Sequence, residues 1–276
     1  MTPHADTALM FVALAAYAIS ALALLAYFFT RNDALRAFGA PLAAIGCVAQ
    51  FAQLVVRFET TGVWPLLNLY GSLSLFAAMG VLIFIILAIR YDLWFAGGFV
   101  VGIAALFLAY GTTWNEGTMP AVPSLQSYWI KIHIPLVVSS YAAFLVAFVI
   151  SGIYLAKTYV KRTEATSAWL DALPSLPQLD ILTYRVVAIG LPLLTLGIIT
   201  GAMWAREAWG AYWQWDPKET AALFSWIIYA IYMHLHTRSA WKGVNSAWIS
   251  VVGFASIIFC YLGVNIWISG LHSYKM

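Results

Sequence analysis

Eight apolar runs, at about residues 8–29, 35–56, 69–89, 93–110, 130–156, 183–203, 219–236 and 246–268, leave the 276-residue chain few ways to fold. Each is close to the length of about 20 residues that a helix needs to cross a hydrocarbon core of about 30 Å. A backbone in lipid must satisfy its own hydrogen bonds, and runs of this length do so as helices. Charged residues make up 9% of the chain, against the roughly 25% usual in a soluble domain. The expectation is an all-α integral membrane protein: a bundle of eight transmembrane helices forming a single polytopic membrane domain over residues 1–276, with no soluble domain beside it. The first run is too long for a removed signal peptide and has neither a basic lead-in nor a small-residue cleavage site, so it is expected to remain as the first helix.

Lys and Arg accumulate in cytoplasmic loops, and with eight crossings the 14 basic residues divide nine to five. One side holds Arg31, Arg36, Arg90, Lys157, Lys161, Arg162, Arg185, Arg238 and Lys242; the other holds Arg57, Lys131, Arg206, Lys218 and Lys275. The richer side is then cytoplasmic. Both termini, the segment 111–130 and a Trp-rich loop between helices six and seven, about residues 204–219, fall on the outer side. The longest inner connector, 157–183, reads as a solvated stretch with a short surface helix at 163–172 and no chemistry.

The Trp-rich loop, WAREAWGAYWQWDPKE, has two halves. In the second, Asp216 suits an N-cap, Pro217 the first helical position, and Glu219 the return bond of a capping box. The helix-start reading of these carboxylates outweighs a catalytic one, and no residue is assigned a catalytic role. In the first half, Trp204, Trp209, Tyr212, Trp213 and Trp215 put five aromatics in twelve positions. An interfacial belt places Trp and Tyr at helix ends because one edge is apolar and the other hydrogen-bonds. A belt uses one or two per end, whereas five form a surface large enough to bury a flat apolar ligand. Arg206 and Lys218 flank it, which suits a porphyrin: its faces stack and its propionates are anionic.

Imidazole is a common protein ligand of haem iron, and the chain has five histidines. His133 opens the fifth run and His272 follows the eighth, both on the side of the Trp-rich loop. Taken singly, each reads as an interfacial histidine satisfied by water or a carbonyl. Together, on the face of the aromatic surface, they favour bis-His ligation. His234 lies 18 residues after Asp216, roughly 27 Å deeper along a helix, and cannot join the outer site. His236, two residues on, is about 200° round the helix, so only one of the two faces a given cavity. Since an ionisable residue within a membrane helix is a functional candidate, His234 is expected to be the buried one and His236 interfacial, while His4 lies in a frayed terminus. Cys47 and Cys260 sit in apolar runs and are expected to act as small buried hydrophobes. The sequence has no C-x-x-C-H, no P-loop and no H-E-x-x-H, which excludes covalent c-type haem on this chain, a P-loop ATPase and a zincin.

WAREAWGAYWQWDPKET followed by WIIYAIYMH resembles the WWD signature of the haem-handling superfamily. With LQSYWIKIH upstream, RFETTGVWPLLNLYGSL early and GVNIWISGLHSY at the C-terminus, the chain over about residues 57–276 resembles the CcsA (ResC) family of system II cytochrome c maturation. The resemblance implies a multi-pass protein of the bacterial inner (plasma) membrane that takes haem b as its ligand and substrate. Its haem enters through a transmembrane histidine, matched by His234, and passes to the WWD platform. Trp204, Trp209, Trp213, Trp215, Asp216, Arg206 and Lys218 lie in that platform, with His133 and His272 as outer iron ligands. It further implies a CcsB (ResB) type membrane subunit supplying a second transmembrane ligand, apocytochrome c as acceptor, and a thioredoxin-like thiol reductant, in a holocytochrome c synthase complex of the haem lyase type. Membrane lipid surrounds it, and nothing calls for nucleic acid. Two positions depart from the family: its NLYES is NLYGS here, with Gly71 for the Glu, and Lys275 stands where a Gly usually follows LHSY. Two other readings stay open, an exporter of haem or another flat anion without attachment activity, and a WWD protein that loads a haem chaperone; the PKET after WD argues against the latter.

Overall fold

The computed structural model describes residues 5–66, 68–114, 123–162, 168–268 and 270. Its long elements are α1 (Ala5–Thr30), α2 (Asp33–Thr61), α3 (Leu69–Tyr91), α4 (Gly97–Thr112), α5 (Tyr128–Arg162), α7 (Leu176–Trp209), α8 (Pro217–His236) and α9 (Val244–Ile258). A short α6 (Ala168–Asp171) precedes α7, and α9 runs through a π-helical stretch (Phe259–Gly263) into α10 (Val264–Trp267). Among the described residues there is no strand.

All eight apolar runs are helical, and seven of the helices are long and apolar enough to cross a membrane. The predicted seventh, α8, is a 20-residue helix outside that group. Lys218, Glu219, Thr220, Ser225, His234 and His236 dilute its apolar character, so a count of eight spans rests on more than hydropathy. The expected connector at 157–183 is shorter than predicted. α7 already starts at Leu176, because Ser175 forms a capping box with Gln178, its N–H donating to Gln178 Oε1 at 2.8 Å. Lys157, predicted to be solvated, is buried and donates to the Pro174 carbonyl at 3.0 Å.

The helices fall into two compact units, one containing α1–α4 and the other α5 and α7–α10. In the first, α1 and α2 pack antiparallel through glycines: Gly39 meets Leu24, and Gly46, two turns on, meets the Tyr17 ring. Ser20 Oγ ties them by donating to the Gly39 carbonyl at 2.7 Å. α3 starts at Asn68, whose side chain accepts from Gly71 N–H at 2.8 Å. A Cβ on residue 71 would overlap the Pro65 carbonyl. The departure from the family's Glu is therefore built into this loop, since the Pro65 carbonyl occupies a place that only a bare Cα at residue 71 leaves open.

In the second unit, α7 lays three glycines along α5. Cβ atoms added at Gly190, Gly197 and Gly201 would meet Phe144, Val137 and His133 respectively, so one number falls as the other rises and the helices run antiparallel. Small residues let the backbones approach closely, the main source of helix association where lipid competes for apolar contact. α8 fits against this pair: Tyr229 stacks on Phe144 with ring centroids 3.6 Å apart, and Trp226 Nε1–H donates to Thr195 Oγ1 at 2.8 Å. α9 closes on α8 through Gly253, which leaves room for the Tyr229 ring, and through Ser256, whose hydroxyl donates to Ser225 at 3.0 Å. One end of this unit gathers the start of α5, the end of α7 and the start of α8. The other gathers the end of α5, the start of α7, the end of α8 and the start of α9.

Candidate functional site

His133 stands in the second turn of α5, and its place is set by what α7 lacks. The ring lies over Gly201, close enough that a Cβ there would sit 2.7 Å from Cε1 and 2.8 Å from Nδ1. One turn along, the Gly197 carbonyl accepts a hydrogen bond from His133 Nδ1 at 2.8 Å. A carbonyl only accepts, so the proton is on Nδ1 and the lone pair of the neutral ring is on Nε2. Trp204, 3% exposed, stacks on the same imidazole with centroids 6.0 Å apart and planes at 26°. Trp209 follows against Trp204 at 4.8 Å. Trp204 thus covers one face of the histidine, with Trp209 packed behind it.

The rest of the loop is a separate group. α7 stops at Gly210, whose φ of 83° allows the left-handed cap. Arg206 donates to the Gly210 carbonyl, with its guanidinium 5.9 Å from the Tyr212 ring centroid. Ser127, just before α5, donates to Glu207. Trp213 and Trp215 meet edge to face at 5.8 Å. Trp215 adopts φ 57°, a left-handed conformation rare for a bulky residue, and is 68% exposed. That backbone is held from the far side by the predicted capping box: Glu219 Oε2 accepts from Gln214 N–H at 2.8 Å and Asp216 N–H at 3.2 Å, while Asp216 Oδ1 accepts from Lys218 N–H at 3.0 Å. Asp216 is buried. Beneath it, Cys260 Sγ lies 3.7 Å from the Lys218 carbonyl and 3.6 Å from Tyr141 Oη, so Cys260 is buried, as expected.

His272, Lys275 and His4 lie outside the described residues. Gly270, two residues before His272, is described: a Cβ there would stand 2.6 Å from Asp216 Oδ2. Gly270 therefore stands directly against the cap of the Trp-rich loop.

At the opposite end of the unit the two histidines of α8 are reversed from expectation. His236 is buried and His234 exposed. Counting along the helix established that they diverge, but not which turns inward. The residue that decides is Asp180, on the first turns of α7, whose Oδ2 lies 2.9 Å from His236 Nε2. The His236 ring is layered between Tyr184, at 4.6 Å, and Tyr232, at 5.7 Å. Asp180 fell in the stretch read as a connector without chemistry. The glycine cradle of His133 was also missed, although G-I-I-T-G at 197–201 has the G-x-x-x-G spacing of a close helix contact.

Comparison with known proteins bears on the whole of this arrangement. The sequence model of the Cytochrome C assembly protein family matches residues 66–272. Cytochrome c biogenesis protein CcsA of Mesostigma viride is 36% identical over 98% of this chain and 95% of its own length. The protein of the same name from Prochlorococcus marinus is 33% identical over 95% of this chain and 92% of its own. That from Chlamydomonas reinhardtii is 39% identical over 80% of this chain and 64% of its own.

Proposed function

Since this chain belongs to the cytochrome c assembly protein family, as a multi-pass membrane protein of cytochrome c biogenesis, we propose that it binds haem as cargo, carries it across the bacterial plasma membrane and presents it for attachment to apocytochrome c. The observation that carries this reading is the Nδ1–H bond from His133 to the Gly197 carbonyl. Histidines that ligate metals commonly donate their other N–H to a carbonyl or carboxylate, which fixes tautomer and ring direction. His133 has that arrangement, beside a tryptophan stack able to cover a porphyrin face.

In this reading His133 and His272 are the outer iron ligands. Trp204 braces His133 with Trp209 packed behind it, Trp215 and Tyr212 offer exposed aromatic surface beside the half-buried Trp213, and Arg206 and Lys218 supply cations for the propionates. Asp216 caps α8 and holds the loop in place. His234, exposed on its own unit, ligates iron at the inner level, with the second ligand coming from a CcsB (ResB) type membrane subunit. The Trp-rich loop and both termini are on the outer, periplasmic side, as the nine to five division of basic residues implies. Attachment is an addition: each thiol of the acceptor's C-x-x-C-H, kept reduced by a thioredoxin-like protein, bonds through sulfur to one vinyl carbon and gives its hydrogen to the other, so nothing leaves. The chain's part is to hold the two reactants in register.

The test is reconstitution of the chain with its partner subunit, haem and reduced apocytochrome c. Covalent product is expected, and is expected to vanish with His272→Ala. Haem crossing the membrane without product would leave the chain an exporter, and product formed equally well by His272→Ala would remove the outer ligand pair.

A second outcome separates platform from scaffold. A left-handed backbone at a bulky residue costs on the order of 1–3 kcal/mol, and Trp215 turns most of its side chain outward. Its retention is explained by a ligand. Trp215→Asn, which tolerates that conformation, is expected to leave the thermal midpoint of the purified protein unchanged or slightly raised while lowering haem retention several-fold. A lowered midpoint with full haem would make Trp215 a structural residue.

A further inference from the structure

We infer that Asp180 is a positioning residue for His234, an inference that rests on the reading of His234 as the inner iron ligand. One carboxylate joins three helices here. Asp180, on α7, holds His236 of α8 through Oδ2 at 2.9 Å and accepts the Gly243 N–H, at the start of α9, through Oδ1 at 3.0 Å. Gly243 has φ 83°, and a Cβ there would stand 2.6 Å from Tyr154 Oη of α5. The four long helices of the unit are thereby fastened at one level. The His236 and Asp180 side chains are only 8% and 12% exposed, and the flanking Tyr184 and Tyr232 rings prevent the imidazole from swinging aside.

The consequence for His234 is geometric. Two residues along an α-helix is a turn of about 200°, so fastening His236 inward aims His234 outward. α8 ends at His236, and Thr237, just beyond it, donates its Oγ1–H to the His234 carbonyl at 2.7 Å. In the last turn of α8, the Asp180 bond adds a directed polar tie to the ring stacks that fix its rotation. A ligand that must meet iron from one direction needs its helix held against rotation, and Asp180 does this from 54 positions away in the sequence.

The experiment uses the full chain purified from membranes with its partner subunit and the haem it carries. Haem per chain, the low-spin absorption and electron paramagnetic resonance signatures, and the midpoint potential are compared among wild type, His234→Ala, Asp180→Ala, Asp180→Asn and His236→Phe. Asp180→Ala is expected to lower His234-dependent haem about tenfold, the scale on which losing a group that orients a metal ligand acts, or to convert it to high-spin, with Asp180→Asn intermediate and His133-dependent haem retained. Added imidazole is expected to restore the low-spin signature of His234→Ala, which lacks a ligand, more fully than that of Asp180→Ala, in which the ligand is misdirected. His236→Phe keeps the aromatic layer and removes the bond, so it decides the matter if Asp180→Ala does not accumulate. Haem content, spectrum and potential unchanged in both Asp180→Ala and His236→Phe, with His234→Ala depleted, would overturn the positioning role and leave the ligand reading intact. Unchanged haem in His234→Ala would remove the ligand reading and the positioning role together.

Discussion

His133→Ala is expected to reduce c-type cytochrome formation at least about tenfold, because losing merely the hydrogen-bond partner that orients a metal ligand commonly costs about 10- to 100-fold. The effect is expected in cells carrying the variant at wild-type abundance, measured by haem staining of membranes and by the haem content of the purified chain. The fold should tolerate the change: His133 is half-buried, and the glycines opposite it leave a gap without breaking a helix. Removing the ring leaves a space between Trp204 and Gly201 shaped for an imidazole, so added imidazole is expected to recover part of the haem. Wild-type cytochrome levels in His133→Ala would show that the tryptophan stack and the Gly197 bond serve packing alone.

Gly201→Ala tests the same site without touching the ligand. The added methyl would stand 2.7 Å from Cε1 and 2.8 Å from Nδ1 of His133, a separation real Cβ atoms do not keep, so the ring must shift and its 2.8 Å bond to Gly197 must lengthen or break. Overpacking of this kind typically costs about 1–3 kcal/mol. The expected result is a moderate drop in thermal midpoint with a roughly tenfold loss of haem affinity, which added imidazole does not restore because the site is full. Gly152→Ala on α5 is the matched control. Nothing lies within 4 Å of a Cβ there, and a helical Gly to Ala change in open space should stabilise by about 0.5–1 kcal/mol. Equal haem in the two variants would mean that the orientation of the His133 ring is immaterial.

The sequence was most informative where one local rule decides the outcome. Apolar runs became helices, though α5 runs on to Arg162 and α7 extends from Leu176 to Trp209, both well past their expected bounds, and the Asp216, Pro217 and Glu219 cap formed as read, because capping is settled within four positions. It was least informative where a partner far along the chain decides. That His234 and His236 diverge follows from helix geometry, but which is buried depends on Asp180, and an acidic residue after a proline-rich stretch looks like a loop until α7 is known to begin at Leu176. The glycines of α7 are an intermediate case. Their spacing announces a close helix, and only the packing of α5 shows that the residue set into the cradle is His133. The aromatics, grouped by composition, divide in three dimensions into Trp204, stacked on a histidine with Trp209 behind it, and Trp215, turned outward beside a half-buried Trp213, a distinction set by the left-handed residues at 210 and 215.

α8 has its own mechanical consequence. Its first turn grips the Trp213 to Trp215 segment through Glu219, and its last turn carries His234. Twenty residues of helix make a strut about 30 Å long, with no proline after Pro217 to let it flex. Pivoted at the Asp180 end, a tilt of about 5° would swing the far end by roughly 2.6 Å over that length, comparable to the reach of a hydrogen bond. The strut therefore ties the two ends of the unit into one rigid piece, so that the place of the tryptophan segment and the place of His234 are set by the same helix.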